Sequence, residues 1–258
     1  MPSNGPRYRT WIRTRLLIVF SALSAVFLVG TVLSFLSLWF LLFLVPFAIF
    51  GYIATILALT VYRFAPGGGD VQRRIHDLIV ARVSLPAGSK ALDVGCGSGS
   101  LVVKLAKASD GSTVTGVDSW GRDWEYSKEL CEDNARIEGV ADHTTFSKQS
   151  GAALTFTDNS FDVVVSCLTF HEIADVPQKS DGVVEALRVL RAGGRYVFLD
   201  LFGDPAFYPS VERVREIILQ TGASVEESVS LADLMSLPFP LRHPKVLGHA
   251  MVVTGVRA

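Results

Sequence analysis

Three glycines at alternate positions, Gly95, Gly97 and Gly99, follow the apolar run at residues 91–94. Glycine lets a backbone turn sharply and approach a ligand closely. The amides at the start of a following helix suit an anion. Asp118 stands 23 residues after Gly95, at the end of the next apolar run. A carboxylate at that point can accept hydrogen bonds from both hydroxyls of a ribose. Together these residues read as a site for a nucleoside-bearing ligand. The loop is one residue shorter than the G-x-G-x-x-G of dinucleotide sites, and Asp93 lies two residues before its first glycine. An acid there suits a cationic group better than a pyrophosphate. Further on, His171 and Glu172 form an adjacent ionisable pair just after a strongly apolar run. His171 is the candidate general base for an acceptor that must lose a proton.

Periodicity supplies the elements that carry these residues. Apolar positions at helical spacing predict helices over 71–84, 101–108, 126–138, 183–190 and 211–220, the fourth ending at Gly193-Gly194. Strands are predicted over 91–94, 113–117, 144–146, 161–168, 195–201, 225–231 and 249–256. Strands alternating with helices imply a parallel sheet covered on both faces. The last two strands have no full helix between them and can pair as antiparallel neighbours.

With Asp93 ahead of it, the loop resembles motif I of the class I S-adenosylmethionine-dependent methyltransferases. Asp158-Asn-Ser-Phe-Asp-Val-Val-Val-Ser166 looks like the fourth-strand motif of that family, and Arg188-Val-Leu-Arg-Ala-Gly-Gly-Arg-Tyr-Val-Phe198 resembles the approach to its fifth strand. The likeness covers roughly residues 70–202 and is nearest to the small-molecule branch called type 11. It implies a Rossmann-like α/β fold with a mostly parallel seven-stranded sheet whose last strand is antiparallel. It also implies S-adenosyl-L-methionine as cofactor. Asp93 and the loop Gly95, Cys96, Gly97, Gly99 would hold its methionine portion. Asp118, with Ser119 beside it, would hold the ribose, and Trp120 could cover an adenine face. Ser150, with Gly151 beside it, falls where the family often has an acid that accepts the adenine amino group. Cys167, at the end of the fourth strand, would bring its backbone near the cofactor. The loop holding His171 lacks an Asn-Pro-Pro-Tyr type sequence, which argues against DNA or glutamine as the acceptor. No metal spacing is present.

The rest of the chain is unlike that family. Residues 16–62 form 47 positions without one Asp, Glu, Lys, Arg or His. A membrane crossing needs about 20 apolar residues, so this length accommodates two, expected near 16–34 and 40–62 with a turn around 34–39. The apolar run continues for 37 residues beyond Ala25, far more than a cleaved leader contains. Arginines 7, 9, 13, 15 and 63 flank the run and none sits in the turn. The positive-inside rule then places both termini in the cytoplasm. Residues 1–63 form the expected anchor, 64–70 a glycine-rich linker and 71–258 the catalytic domain.

Charge narrows the function. Residues 1–63 carry +5 and the remainder −6, a poor balance for nucleic-acid binding. The three cysteines, Cys96, Cys131 and Cys167, show no metal or CxxC spacing and read as thiols in a reducing compartment. The expectation is a membrane-anchored, multi-pass methyltransferase acting on a small or lipid-like acceptor, with the bilayer as partner. The alternative is a cofactor-binding module that regulates or scaffolds without catalysis. Serine at 150 leans toward that alternative.

Overall fold

A computed structural model describes residues 5–121 and 124–258. They divide into two compact units.

The first unit spans Thr10–Gln72, together with Trp124 and Glu125. It holds helices α1 (Thr14–Val32) and α2 (Leu44–Phe64), joined through short 3-10 turns at Leu33–Phe35 and Leu38–Phe43. The second α-helix starts four residues later than expected because of Pro46. Without an N–H, proline is tolerated in a first helical turn, and α2 begins so that Pro46 lies there. Gly51 lets the two helices approach, and Gly30 makes room for the turn that joins them. A Cβ at Gly30 would lie 2.7 Å from the Phe43 ring, and one at Gly51 would lie 3.1 Å from the Ser24 hydroxyl. Phe27 stacks on Phe50 at 5.5 Å. Hydroxyls within the helices are satisfied locally: Thr31, Thr55 and Thr60 donate to the carbonyls of Phe27, Gly51 and Ile56. Both apolar segments, Thr14–Phe35 and Leu38–Phe64, are long and apolar enough to cross a membrane. Their outward side chains, among them Val26, Val29, Leu38, Trp39 and Ile49, are exposed. A soluble core helix would bury such residues.

The second unit contains residues 5–9, 73–121 and 126–258. Its seven-stranded sheet runs β1 (Lys90–Val94), β2 (Thr113–Asp118), β3 (Thr144–Lys148), β4 (Phe161–Cys167), β5 (Leu190–Asp200), β6 (Glu227–Ser230) and β7 (Met251–Val256). The spatial order is β3-β2-β1-β4-β5-β7-β6. Strands β1 to β5 are parallel, and β7 runs antiparallel to both of its neighbours. The helices are α3 (Val71–Arg82), α4 (Ser100–Ala108), α5 (Lys128–Ile137), α6 (Ser180–Arg188), α7 (Val211–Gln220) and the single turn α8 (Leu231–Leu234). The order reverses between β1 and β4, and ligands of such sheets bind outside the carboxyl ends of the strands at that switch point.

One boundary differs in an instructive way. Helix α6 ends at Arg188, and Gly193-Gly194 lies inside β5 rather than after the helix. The β4–β5 ladder skips from Phe161↔Leu190 to Val163↔Arg195, so the glycines form a bulge. Gly193 has φ +73°, and a Cβ on Gly194 would meet the Asp162 carbonyl at 2.9 Å. Beyond this bulge β5 is buried from Tyr196 to Asp200, and Tyr196 and Phe198 share the core cluster of Leu92, Val164, Phe170 and Val253.

Candidate active site

The glycine loop leaves β1 and folds back on the end of β2. The amides of Gly95 and Cys96 both donate to the carbonyl of Val117, at 2.7 and 3.0 Å. The amide of Gly97 donates to Asp118 Oδ2 at 2.9 Å, and that of Trp120 to Oδ1 at 2.7 Å. The Gly97 carbonyl accepts from the Trp120 indole at 3.0 Å and from Cys131 Sγ at 3.2 Å. Gly95, Gly97 and Gly99 all have positive φ, between +55° and +81°, which explains the residue type at each. Asp118 is thus held on both oxygens by backbone amides of the glycine loop and of its own turn. Burial raises its pKa, opposed by the amides of Trp120, Gly97 and Ser119.

Asp93 lies beneath the loop, 1% exposed, and its Oδ1 has no hydrogen-bond partner. Burial, reinforced by the nearby charge of Asp118, pushes its pKa up to about 8. A buried carboxylate oxygen without a partner is costly unless a cation or donor completes it. That chemistry fits the ammonium and sulfonium of S-adenosylmethionine and disfavours a pyrophosphate.

The loop after β4 packs against the glycine loop. Leu168 takes a left-handed φ of +55° and is held there by the hydrogen bond its N–H donates to the Leu199 carbonyl at 2.7 Å. Such a conformation costs a leucine about 1–2 kcal/mol, and here it turns the next residues toward the site. Thr169 lands on Gly95, where a Cβ would stand 2.0 Å from its Oγ1. The His171 ring meets Asp200 at the end of β5: Nδ1 lies 2.6 Å from Oδ1. Asp200, fully buried, also accepts from the amides of Phe170 and Leu201 at 2.7 and 2.6 Å. A carboxylate so held accepts the Nδ1 proton, which leaves Nε2 as the basic atom. Burial lowers the His171 pKa, but the charge and hydrogen bond of Asp200 outweigh it and the net direction is upward.

Each sequence-derived residue has a place in this structure. Gly95, Cys96, Gly97, Gly99, Asp93 and Asp118 converge at the end of β1 and β2, and the exposed Ser119 follows Asp118. Trp120 is drawn onto the glycine loop by its bond to Gly97. The Ser150 hydroxyl accepts the Ala152 amide at 3.2 Å in a turn, and Gly151 packs against Val94 and Ile173. The thiols of Cys96 and Cys167 are buried and burial pushes their pKa values up, so they act as packing groups. The partner of His171 is Asp200; Glu172, its sequence neighbour, lies farther away at 3.7 Å. Thr169 and Asp200 were missed from the sequence. The signal for Asp200 was present: an acid ending an apolar parallel strand beside the site.

A doubly wound sheet with this switch-point loop, an antiparallel β7 and an amide-anchored carboxylate ending β2 defines a Rossmann-like fold of the methyltransferase type. Residues 92–198 match the family model described as a methyltransferase domain, and the chain carries a class I S-adenosylmethionine-dependent methyltransferase domain. It is 34% identical over 167 residues to the 27-O-demethylrifamycin SV methyltransferase of Amycolatopsis mediterranei, covering 64% of this chain and 57% of that protein. It is 29% identical over 191 residues to the sterol 24-C-methyltransferase erg-4 of Neurospora crassa, covering 70% and 48%. The chain therefore spans about half the length of these curated relatives. Among solved structures, geranyl diphosphate C-methyltransferase from Streptomyces coelicolor superposes with a TM-score of 0.59 at 16% identity, covering 74% of this chain and 80% of that one. At that identity the likeness is one of fold.

Proposed function

We propose that this protein is a membrane-anchored methyltransferase that uses S-adenosylmethionine to methylate a hydroxyl on a small or lipid-like acceptor. The unpartnered Asp93 carboxylate under the glycine loop carries the cofactor reading. Asp93 and the Gly95–Gly99 loop hold the methionine portion, and Asp118 the ribose. Trp120, Ser150 and Gly151 border the adenine, and the Cys167 backbone borders the cofactor. When bound, the cofactor supplies an activated methyl group. The protein contributes alignment, which by itself can supply an effective molarity of about 10⁵ M or more. It also contributes a base: Nε2 of His171 takes the acceptor's proton while Asp200 fixes the ring and stabilises the resulting imidazolium. Such a dyad is needed for a neutral hydroxyl, which favours oxygen as the acceptor atom.

The anchor reading rests on the exposed apolar faces of α1 and α2 and on the arginines at both ends of the hairpin. A further support is that residues 5–9 and residues from 73 onward belong to one compact unit. The apolar segment leaves that unit and returns to it, as an even number of crossings requires. Both termini then lie on the cytoplasmic side, where the cofactor is made.

The test uses the full chain in lipid nanodiscs. Calorimetry is expected to show binding of S-adenosylmethionine and its demethylated product, and none of NAD. Membranes containing the protein, incubated with methyl-labelled cofactor, are expected to yield a labelled extractable species. Binding without any labelled acceptor would favour the regulatory module, and preferential NAD binding would overturn the cofactor assignment.

A further inference from the structure

The residues just ahead of the apolar hairpin are bonded to the glycine loop. Asn134 in α5 is fully buried. Its Oδ1 accepts the Arg7 amide at 2.7 Å, and its Nδ2 donates to the Arg7 carbonyl at 3.2 Å. One side-chain amide thus pairs with both backbone groups of Arg7, as a neighbouring strand would. The same Nδ2 donates to the carbonyl of Ser98, between Gly97 and Gly99, at 2.9 Å. Ser98 Oγ in turn accepts the amide of Arg9 at 3.4 Å. At the flanks the Tyr8 hydroxyl reaches Glu138 at 3.2 Å, and the Arg7 guanidinium lies 3.8 Å from Asp133. The flanking contacts are solvent-exposed and contribute little. The central ones are buried or half-buried and satisfy Asn134 on both of its atoms.

We propose that residues 7–9 are a strap that holds the glycine loop in its cofactor-binding shape, with Asn134 as the positioning residue that joins the two. This rests on the reading of that loop as the S-adenosylmethionine site. A buried amide with all its bonds made fixes its neighbours, whereas one left half-satisfied loosens them. Without the strap, Asn134 loses the partners of Oδ1 and one Nδ2 proton, and Ser98 Oγ loses its donor. The loop then samples other shapes, and the cofactor must spend binding energy to restore this one. Thr10, where the apolar unit begins, follows Arg9 directly along the chain.

The backbone nature of the pairing makes a clean test on the full chain in nanodiscs. Arg7→Ala keeps the amide and is expected to leave affinity for S-adenosylhomocysteine within about twofold of wild type. Arg7→Pro removes the amide donor to Asn134 and is expected to weaken that affinity roughly five- to twenty-fold, the equivalent of about one buried hydrogen bond. Hydrogen exchange of the Gly97 and Gly99 amides, read without ligand, is expected to accelerate in Arg7→Pro and not in Arg7→Ala. Asn134→Ala acts through the same contact, so adding Arg7→Pro to it is expected to cost little more. Should that variant fail to fold, the two Arg7 variants decide alone. Unchanged exchange in a folded Arg7→Pro, or equal effects from both Arg7 changes, would overturn the strap. Absence of any S-adenosylhomocysteine binding by wild type would instead sink the cofactor reading, and the exchange data would still judge the strap.

Discussion

His171 Nδ1 and Asp200 Oδ1 lie 2.6 Å apart across the ends of β4 and β5, with the carboxylate fully buried and also bonded to three backbone amides, those of Phe170, His171 and Leu201. The pairing leaves Nε2 as the basic atom, 3.7 Å from Glu172, and makes the ring more basic than an ordinary imidazole.

Removing either partner is expected to damage chemistry and spare binding. His171→Gln and Asp200→Asn should each lower kcat by roughly 10²–10⁴-fold, the usual worth of a positioned base. Cofactor affinity should stay near wild type. A base works only when deprotonated, so activity should fall as pH drops through the raised His171 pKa. Asp200→Asn should move that limb to lower pH. A pH–rate series on both proteins checks this, and an unshifted limb would assign the limb to another group.

Asp93 sets a second pH dependence. Its folded pKa of about 8 lies above the unfolded value of 3.8, so the folded state holds an extra proton between those values. Its contribution to stability is present in acid and is lost as pH rises through about 8. Asp93→Asn should therefore raise the thermal midpoint of the ligand-free protein at pH 8.5 and not at pH 3.5. The same variant should bind S-adenosylmethionine more weakly by about 1–3 kcal/mol. Calorimetry of the wild type at pH 7, in buffers of different ionisation enthalpy, should show proton release on binding. No release would mean that Asp93 does not meet the cation.

Gly95→Ala should be severe for two separable reasons. Its φ of +81° disfavours any Cβ, and that Cβ would stand 2.5 Å from the Thr169 Cβ as well as 2.0 Å from its Oγ1. A loss of at least about 2 kcal/mol in stability is expected, in the range of strain and overpacking effects. Thr169→Gly should recover part of it, whereas Thr169→Ala, which keeps its Cβ, should not. Denaturant unfolding of the two double variants reads the difference.

Topology is open to thiol labelling, since Cys96, Cys131 and Cys167 are all buried. In intact cells an impermeant maleimide should label Ser37→Cys, in the turn between the spans. It should reach Lys107→Cys on α4 only after permeabilisation. The reverse pattern would invert the protein.

What the sequence determined by itself is local. Strand, glycine loop, helix and the acid ending the next strand follow one another closely, and spacing alone implies their arrangement at the end of β1 and β2. The alternating strands and helices and the uncharged stretch were equally legible, because burial imposes a period on neighbouring residues. The contacts that shape the candidate site join distant residues. Thr169 meets Gly95, His171 meets Asp200, and Asn134 meets Arg7, with 74, 29 and 127 positions between their numbers. Each depends on which strand lies beside which and in what register. Cys167 pairs with Leu199, and that offset sets Asp200 one step on, opposite the loop that carries His171. The β5 bulge that sets this register leaves no periodic mark, so the helix boundary at Arg188 was missed for the same reason. Periodicity reports which face of an element is buried, and only the assembled sheet decides which residues come to share its edge.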